Sequence, residues 1–134
     1  MIQVQTRKQV KAFIDVHSYS QLWIYTWAEK TEDIPNKAAQ DLIGRLATDA
    51  IKDTYGMTYE YGQTGQLLYV ATGTTIDYAY DKLDIPCSLT VELRDTGRYG
   101  FLLPADQIVP TAEETYNAYK VMAFGIIEGL CDSK

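Results

Sequence analysis

The chain has 134 residues, the size of one ordinary domain, and its 46% hydrophobic and 22% charged residues are typical of a globular protein. Its net charge of −6 argues against nucleic-acid binding, because phosphate recognition needs clustered basic side chains. No apolar run approaches ~18 residues, and the first residues lack the apolar core of a signal peptide. The sequence therefore predicts neither a membrane span nor a leader.

The first quarter of the sequence predicts two strands in a row. Residues 3–9 are typical of the end of a short helix. The apolar runs at residues 11–16 and 21–26 then predict two strands buried in a sheet. Between them, residues 17–20 (His-Ser-Tyr-Ser) form a polar junction at a strand end.

A long helix and a long irregular segment come next. Asn36 is predicted to be the N-cap of the helix, which shows the 3.6-residue apolar period and ends at Gly56. Residues 57–75, rich in Gly, Thr and Tyr, predict a long loop with short strands, and loops of this length are often functional. A short helix is predicted over residues 75–83.

The last part of the sequence contains its clearest strand. Apolar and polar residues alternate from Cys87 to Leu93, so Glu92 and Arg94 are expected to share the polar face with Ser88 and Thr90. A glycine-containing loop over residues 95–109 precedes the final helix. The spacing of Thr111 and Glu114 predicts a capping box at the start of that helix.

Strands alternating with helices predict an α/β protein with a mixed, mostly parallel sheet and flanking helices. In such sheets ligands bind at the strand ends and in the loops beyond them. This rule directs attention to His17, which follows the first predicted strand, and to the loop after Glu92.

A histidine and a glutamate at two strand ends of one sheet could meet in one cleft. Zinc with a nearby carboxylate base is one chemistry that uses such a pair. The alternatives remain open at this point. His17 could be an ordinary hydrogen-bonded histidine, and the face that carries Glu92 could be open to water. Tyr69, in the long loop, could be a packed aromatic residue or a mobile hydroxyl donor that closes over a substrate.

Three segments together resemble the zinc metallocarboxypeptidases of the pancreatic carboxypeptidase A/B family. FIDVHSYSQL, residues 13–22, resembles a zinc-ligand segment of that family, and LYVATGTTID, residues 68–77, resembles its substrate-tyrosine loop. VELRDTGRYGFLLP, residues 91–104, resembles its catalytic-glutamate segment. The segments occur in the family's order, and the resemblance extends over essentially the whole chain. It implies the C-terminal half of an α/β/α catalytic domain.

The resemblance implies a role for each matching residue. His17 corresponds to a zinc ligand, and Glu92 to the general base that activates a water molecule. Tyr69 corresponds to the tyrosine that closes over the C-terminal residue of the substrate, and Arg94 to an arginine that lines the site. The residues that correspond to the lining of the next subsite are Ser18, Tyr19 and Phe101.

The resemblance also implies a substrate preference. Ile76 corresponds to the floor of the specificity pocket, where family members that prefer basic residues carry an acid. Isoleucine cannot pair with Lys or Arg, so an A-type preference for aromatic or large aliphatic C-terminal residues is implied. Ala71 and Thr90 are small or uncharged at matching pocket positions, and Ile24 and Ala28 stand at the pocket wall.

The last expectations concern two cis peptide bonds and the state of the Cys87 thiol. Non-proline cis peptide bonds, which cost about 3–4 kcal/mol each, are implied at Ser18–Tyr19 and Arg94–Asp95. Cys87 lies in a predicted strand and Cys131 at a helix end, and a free buried Cys87 is expected over a disulfide bond.

The implied Zn²⁺ site is incomplete within residues 1–134. A catalytic zinc ion needs about three protein ligands, and the family draws the other two from a His-x-x-Glu segment. His17 is the one histidine of this sequence, so the N-terminal half of the domain, with that motif and the arginine and asparagine cluster for the substrate carboxylate, is absent.

Two functions of different classes are compatible with the sequence. The first is a zinc-dependent carboxypeptidase of A-type specificity, acting on peptide or protein C-termini, with the isolated chain inactive until the missing half is supplied. The alternative is a catalytically incomplete remnant or a non-catalytic peptide-binding fragment. Half of a sheet leaves an unpaired edge, so instability or association of the chain is expected. By resemblance the parent protein is secreted, with neither nucleic acid nor membrane as partner.

Overall fold

The computed structural model describes residues 10–132, so the helix end expected over residues 3–9 lies outside the described part. The elements are, in chain order, β1 (Ala12–Ser18), β2 (Leu22–Tyr25), α1 (Lys37–Tyr55), β3 (Glu60–Gln63), α2 (Thr64–Leu67), α3 (Thr75–Asp81), β4 (Cys87–Leu93), a 3₁₀ turn (Ala105–Gln107) and α4 (Ile108–Ile127). The segment expected to be a loop with short strands thus contains β3 and the single-turn helix α2.

The described strands form one mixed sheet in the order β1-β4-β2-β3. β1 runs parallel to β4 and β2 parallel to β3, while β2 and β4 are antiparallel. β4 is therefore a central strand, and β1 and β3 are the edges of the described sheet. This arrangement confirms the α/β class and the mixed sheet.

Helices cover the sheet unequally. α1 and α4 pack against each other, and their apolar residues join Trp23, Tyr25, Leu89 and Val91 of the sheet in one core. α3 contacts β1 and β4, and it lies on the other face, beside Asp15. None of the described helices is long and apolar enough to cross a bilayer.

Both ends of α1 fall where the sequence predicts them, but only one is capped in the expected way. Gly56 is in the left-handed conformation, with φ of 74°, and its N–H donates to the Lys52 carbonyl, as expected for a glycine C-cap. Asn36 occupies the N-cap position as predicted, but its side chain makes no capping hydrogen bond to the helix. Instead its amide donates to the Pro86 carbonyl and its oxygen accepts from Tyr80. A partner 50 residues away in the chain is invisible to a local sequence rule.

The expected capping box of α4 is also wrong. The helix begins at Ile108, directly after the 3₁₀ turn, so Thr111 lies within it and donates to the Gln107 carbonyl. Glu114 is fully buried and pairs with Arg94. Glu114, the residue expected to complete the capping box, therefore forms a buried ion pair with a distant residue instead of a bond to the start of its own helix.

The expectation of a free Cys87 is wrong too. Cys87 is joined to Cys131 by a disulfide bond, with a Cα–Cα distance of 5.8 Å. The chain after α4 returns to the first residue of β4, and this return could not be read from two cysteines 44 residues apart. The two implied cis peptide bonds are both present, and a third lies at Thr26–Trp27.

Candidate active site

A cavity of about 320 Å³ opens on the α3 side of the sheet, a volume within the usual range of small-ligand pockets. The site residues that the sequence singled out and that line it are His17, Tyr69, Ala71, Ile76, Thr90 and Glu92. Ile24, expected at the pocket wall, also lines it. The structure therefore brings together in one cavity residues from β1, β2, β4, α3 and the loop before α3.

His17 and Glu92 lie side by side at the centre of this cavity. They are register partners in the parallel β1–β4 pair, so they project from the same face of the sheet. The oxygen Oε2 of Glu92 is buried and has no hydrogen-bond partner in the described part of the chain. Burial raises the pKa of Glu92, while His17 lowers it and Asp15 raises it. A buried carboxylate oxygen without a partner is costly, which distinguishes Glu92 from the fully hydrogen-bonded carboxylates of the fold.

Asp15 is a member of this cavity that the sequence analysis missed. Its Oδ1 lies 3.1 Å from Nε2 of His17, and its Oδ2 accepts a hydrogen bond from the hydroxyl of Thr75. The bond from Thr75 lowers the pKa of Asp15 despite partial burial. A signal was present in the sequence: residues two apart on a strand share a face, so Asp15 necessarily lies beside His17.

The cavity fits one part of a zinc site. An imidazole and a neighbouring carboxylate are suitable donors or bases for zinc chemistry. Within residues 10–132, however, no group of three or more His, Cys, Asp and Glu side chains is arranged to hold a metal ion. The described chain thus brings together one imidazole and one carboxylate of the kind that zinc chemistry uses, but not a complete ligand set.

The floor of the cavity is apolar and firmly held. Ile76, the second residue of α3, is only 2% exposed. The next residue, Asp77, is buried and accepts hydrogen bonds from the Thr26 hydroxyl and from the backbone N–H of Ala28. The Ala28 carbonyl in turn accepts from the N–H of Ala71, at 2.9 Å. Asp77, which the sequence analysis did not identify, therefore ties α3 to the segment after β2, and that segment in turn holds Ala71 of the cavity lining. Ala28, expected at the pocket wall, is not among the residues that line the cavity.

Tyr69 differs from these fixed residues. It lies in the loop between α2 and α3 and is 69% exposed. Its hydroxyl makes no hydrogen bond to the described part of the chain. Tyr69 thus lines the cavity with an exposed side chain that no hydrogen bond fixes to residues 10–132.

Three other expected site residues lie elsewhere. Ser18, Arg94 and Phe101 line a second, apolar groove of about 610 Å³ beside α4. Tyr19 packs edge-on against Phe101, with ring centroids 5.0 Å apart. We call this second cavity the α4 groove.

The expectation that Arg94 shares the face of Glu92 is wrong. Arg94 is buried, its Nε donates to Oε1 of Glu114 at 2.8 Å, and its terminal NH₂ contacts the other oxygen. The alternation stops applying because β4 ends at Leu93. Arg94 therefore anchors the end of the strand to α4 and does not face the cavity.

The loop after β4 is organised by a single carboxylate. Asp95 accepts hydrogen bonds from the backbone N–H groups of Gly97, Tyr99 and Gly100, at 2.8 to 3.0 Å. Gly97 and Gly100 have φ values of 116° and 58°, which favour glycine. The turn that carries Tyr99 and Phe101 is thus held by one carboxylate and by two glycines in the left-handed region.

A mixed α/β sheet that presents an imidazole, a desolvated carboxylate and a tyrosine-bearing loop to one cavity has the features of a metal-dependent hydrolase. Residues 1–118 match the family model described as zinc carboxypeptidase, peptidase family M14. The chain belongs to this family of zinc carboxypeptidases, which are hydrolases.

Individual relatives agree with the family match. Carboxypeptidase A1 of Homo sapiens is 48% identical over 115 residues, which cover 86% of this chain and 27% of that protein. Carboxypeptidase B of Astacus astacus is 43% identical over 85% of this chain and 38% of its own length. The crystal structure of thrombin activatable fibrinolysis inhibitor superposes with a TM-score of 0.87 at 35% identity, over 91% of this chain and 30% of that one. The chain therefore spans well under half the length of these relatives.

Proposed function

We propose that this chain forms the C-terminal part of a zinc carboxypeptidase catalytic domain that removes hydrophobic or aromatic residues from the C-termini of peptides and proteins. The observation that carries the proposal is the single cavity that unites His17, Glu92, Tyr69 and Ile76. Relatives named carboxypeptidase A and carboxypeptidase B both match the chain, so the A-type preference rests on the pocket residues.

In this proposal His17 is one ligand of the zinc ion, which when bound would polarise the scissile carbonyl and acidify a water molecule. Glu92 accepts a proton from water at its carboxylate and later donates it to the leaving amine. Burial raises the pKa of Glu92, which favours a group that must hold the proton between these two steps. The unpaired Oε2 is the atom that would accept it.

The pocket around Ile76 selects the C-terminal side chain. Its floor is hydrocarbon, and Ala71 and Thr90 leave room above it without adding charge. Asp15 is the one acid of the cavity besides Glu92, and both of its oxygens are engaged by His17 and Thr75. A large apolar residue therefore gains the most from burial here, at roughly 25 cal/mol per Å² of apolar surface.

Two groups of residues complete the substrate site. The exposed Tyr69 closes over the C-terminal residue and donates a hydrogen bond from its hydroxyl. Ser18, Tyr19 and Phe101 line the next subsite on the rim, and Arg94 supports that rim through its pair with Glu114. The substrate carboxylate and the remaining zinc ligands require groups from outside the described residues.

The proposed partner for those groups is the N-terminal half of the domain, with its His-x-x-Glu segment. β1 is an edge of the described sheet, and Val16, whose side chain lines the α4 groove, is 53% exposed. Such an apolar edge is suited to cover by further chain. By the same family reasoning we propose that the working enzyme is secreted and that it needs neither nucleic acid nor membrane.

The experiment measures hydrolysis of peptides ending in Phe or Lys by the chain alone and by a fusion behind the N-terminal part of carboxypeptidase A1. We expect activity in the fusion alone, preference for Phe, and loss of activity on adding a zinc chelator. Glu92→Gln should lower kcat by about 100-fold or more. Ile76→Asp should shift the preference toward Lys, and Asp53→Ala, on the exposed face of α1, is the control.

The second candidate is a peptide-binding fragment without catalytic activity. The lack of a three-ligand cluster within residues 10–132 favours it for the isolated chain. A fusion that binds Phe-terminated peptide but hydrolyses none, with or without added zinc, would support this candidate and contradict the enzyme.

A further inference from the structure

Asp15 and His17 form a local unit on one face of β1. Alternation along the strand places both side chains on the cavity side, and Oδ1 of Asp15 lies 3.1 Å from Nε2 of His17. A carboxylate oxygen at this distance favours a proton on the facing Nε2, because an unprotonated ring nitrogen would turn its lone pair toward the lone pairs of the oxygen. Both residues belong to the same strand, so the contact depends on no loop.

Thr75 fixes the other side of this carboxylate. Its hydroxyl donates to Oδ2 of Asp15 from the first residue of α3. The neighbouring Ile76 is buried in the pocket floor, which holds the start of α3 in place. With both oxygens engaged, Asp15 is oriented toward His17 and is not free to bind a substrate side chain.

The approach of Asp15 favours one nitrogen of His17 over the other as a metal ligand. A neutral imidazole has one N–H donor and one acceptor nitrogen. A proton on Nε2, which faces the Asp15 carboxylate, leaves Nδ1 as the nitrogen with a lone pair, and no hydrogen bond joins Nδ1 to the described part of the chain. Ligating histidines commonly give their other N–H to a carboxylate in this way.

We propose that Asp15 is a positioning residue that holds His17 in the Nε2–H tautomer and presents Nδ1 to the metal, with Thr75 holding Asp15. The assignment of His17 as a ligand rests on the proposed function. The tautomer does not, because it depends on contacts within β1 and α3 alone. A competing role for Asp15, as a charged specificity residue of the pocket, is an outcome that the experiment distinguishes.

The test exploits the single histidine of the chain, which makes its ring nitrogens assignable without mutagenesis. Long-range ¹H–¹⁵N correlations of the full 134-residue chain are recorded at a pH about two units above the ordinary histidine pKa of ~6.5. We expect one tautomer, with the proton on Nε2. Asp15→Ala should move the two ring ¹⁵N shifts toward each other, as in a tautomer mixture. Asp15→Asn keeps an acceptor and should restore most of the wild-type pattern.

Controls separate a local effect from unfolding. Asp53→Ala should leave the ring shifts unchanged, Thr75→Val should move them part of the way, and backbone amide dispersion reports whether each variant is folded. The proposal is overturned if the wild-type proton resides on Nδ1, or if a folded Asp15→Ala chain shows the wild-type ring shifts.

The zinc affinity of the fusion with the N-terminal part of carboxypeptidase A1 gives the second readout. Asp15→Ala should weaken Zn²⁺ binding about 10- to 100-fold in chelator competition without changing the Phe-over-Lys preference. A changed preference at unchanged zinc affinity would overturn the positioning role in favour of the specificity role. If no fusion binds zinc, the proposed function fails, while the tautomer measurement still decides the role of Asp15.

Discussion

β1 and β2 both pair with β4, yet one is covered and the other is open. The four residues of β2 are 0 to 7% exposed, whereas none of the seven residues of β1 is buried and Val16 is 53% exposed. Composition accounts for part of the difference, because all four residues of β2 are apolar, whereas β1 includes Asp15, His17 and Ser18. β2 has β3 beside it and α1 across it, while β1 is an edge beside the α4 groove. Cover accounts for the rest, because even the apolar Val16 of β1 is half-exposed.

The candidate site divides along the same line. Residues whose partners lie within the described chain are fixed: His17 by Asp15, and Arg94 by Glu114. The groups that would meet further chain or a ligand lack such partners within residues 10–132. Oε2 of Glu92 is unpaired, and the hydroxyl of Tyr69, a residue that is 69% exposed, makes no hydrogen bond to these residues. The described chain therefore organises its own part of the site before anything else binds.

The largest loss of stability is expected from breaking the buried ion pair between Arg94 and Glu114. Glu114→Ala leaves Arg94 buried without its partner, which should lower the free energy of unfolding by about 3–5 kcal/mol. Urea unfolding followed by circular dichroism measures the loss. Glu113→Ala, at the exposed neighbouring position of α4, is the matched control and should cost less than about 1 kcal/mol. Equal effects of the two variants would show that the buried pair does not anchor β4.

Two alanine variants, one in a covered strand and one in the open strand, test the contrast between these strands. Leu89→Ala removes a side chain that is 0% exposed in β4 and should cost about 2–5 kcal/mol. Val16→Ala removes a half-exposed side chain in β1 and should cost less than about 1 kcal/mol in the isolated chain. In the fusion with a family N-terminal part, the cost of Val16→Ala should rise. An unchanged cost there would mean that β1 stays open.

The sequence predicted regular elements better than their ends. β4 was bounded correctly because strict alternation of apolar and polar residues marks a half-covered strand, and Gly56 ended α1 because a left-handed C-cap favours glycine. The capping bonds expected of Asn36 and Thr111 are not made, because contacts with distant parts of the chain engage Asn36 and Glu114 instead. The capping rules that predicted them are local, and the tertiary contacts replaced them.

The site shows the same limit. His17 and Glu92 were paired correctly in one cavity because both follow from strand ends of one sheet. Arg94 was misplaced because the alternation was continued one residue past the strand. The carboxylate of Asp77 was missed because its partners, near residue 28, are brought to it only by the fold. Positions on a strand were predictable, and contacts between loops were not.

The smallest effect on stability is expected in the turn after β4, which Asp95 holds by hydrogen bonds to three backbone N–H groups. The prediction tests whether the charge of Asp95 stabilises this exposed turn. Partial burial of Asp95 opposes its charge, but hydrogen bonds from Tyr99, Gly97 and Gly100 outweigh it and lower the pKa. A group whose pKa is lowered by folding adds stability above its unfolded pKa of ~3.9, and that stability is lost as the pH falls through the folded value.

Asp95→Asn cannot lose a proton, so it should be less stable than the wild type near neutral pH. The gap between the two urea midpoints should begin to narrow as the pH falls below the unfolded pKa of ~3.9, and it should close as the pH falls through the lowered pKa of the folded carboxyl, because the wild-type group is then protonated as well. Asp53→Asn, exposed on α1, should show no such convergence. A gap between Asp95→Asn and the wild type that persists unchanged into acid would mean that the turn is held by its glycines and not by the Asp95 charge. The open side of the molecule would then owe its order to backbone conformation alone.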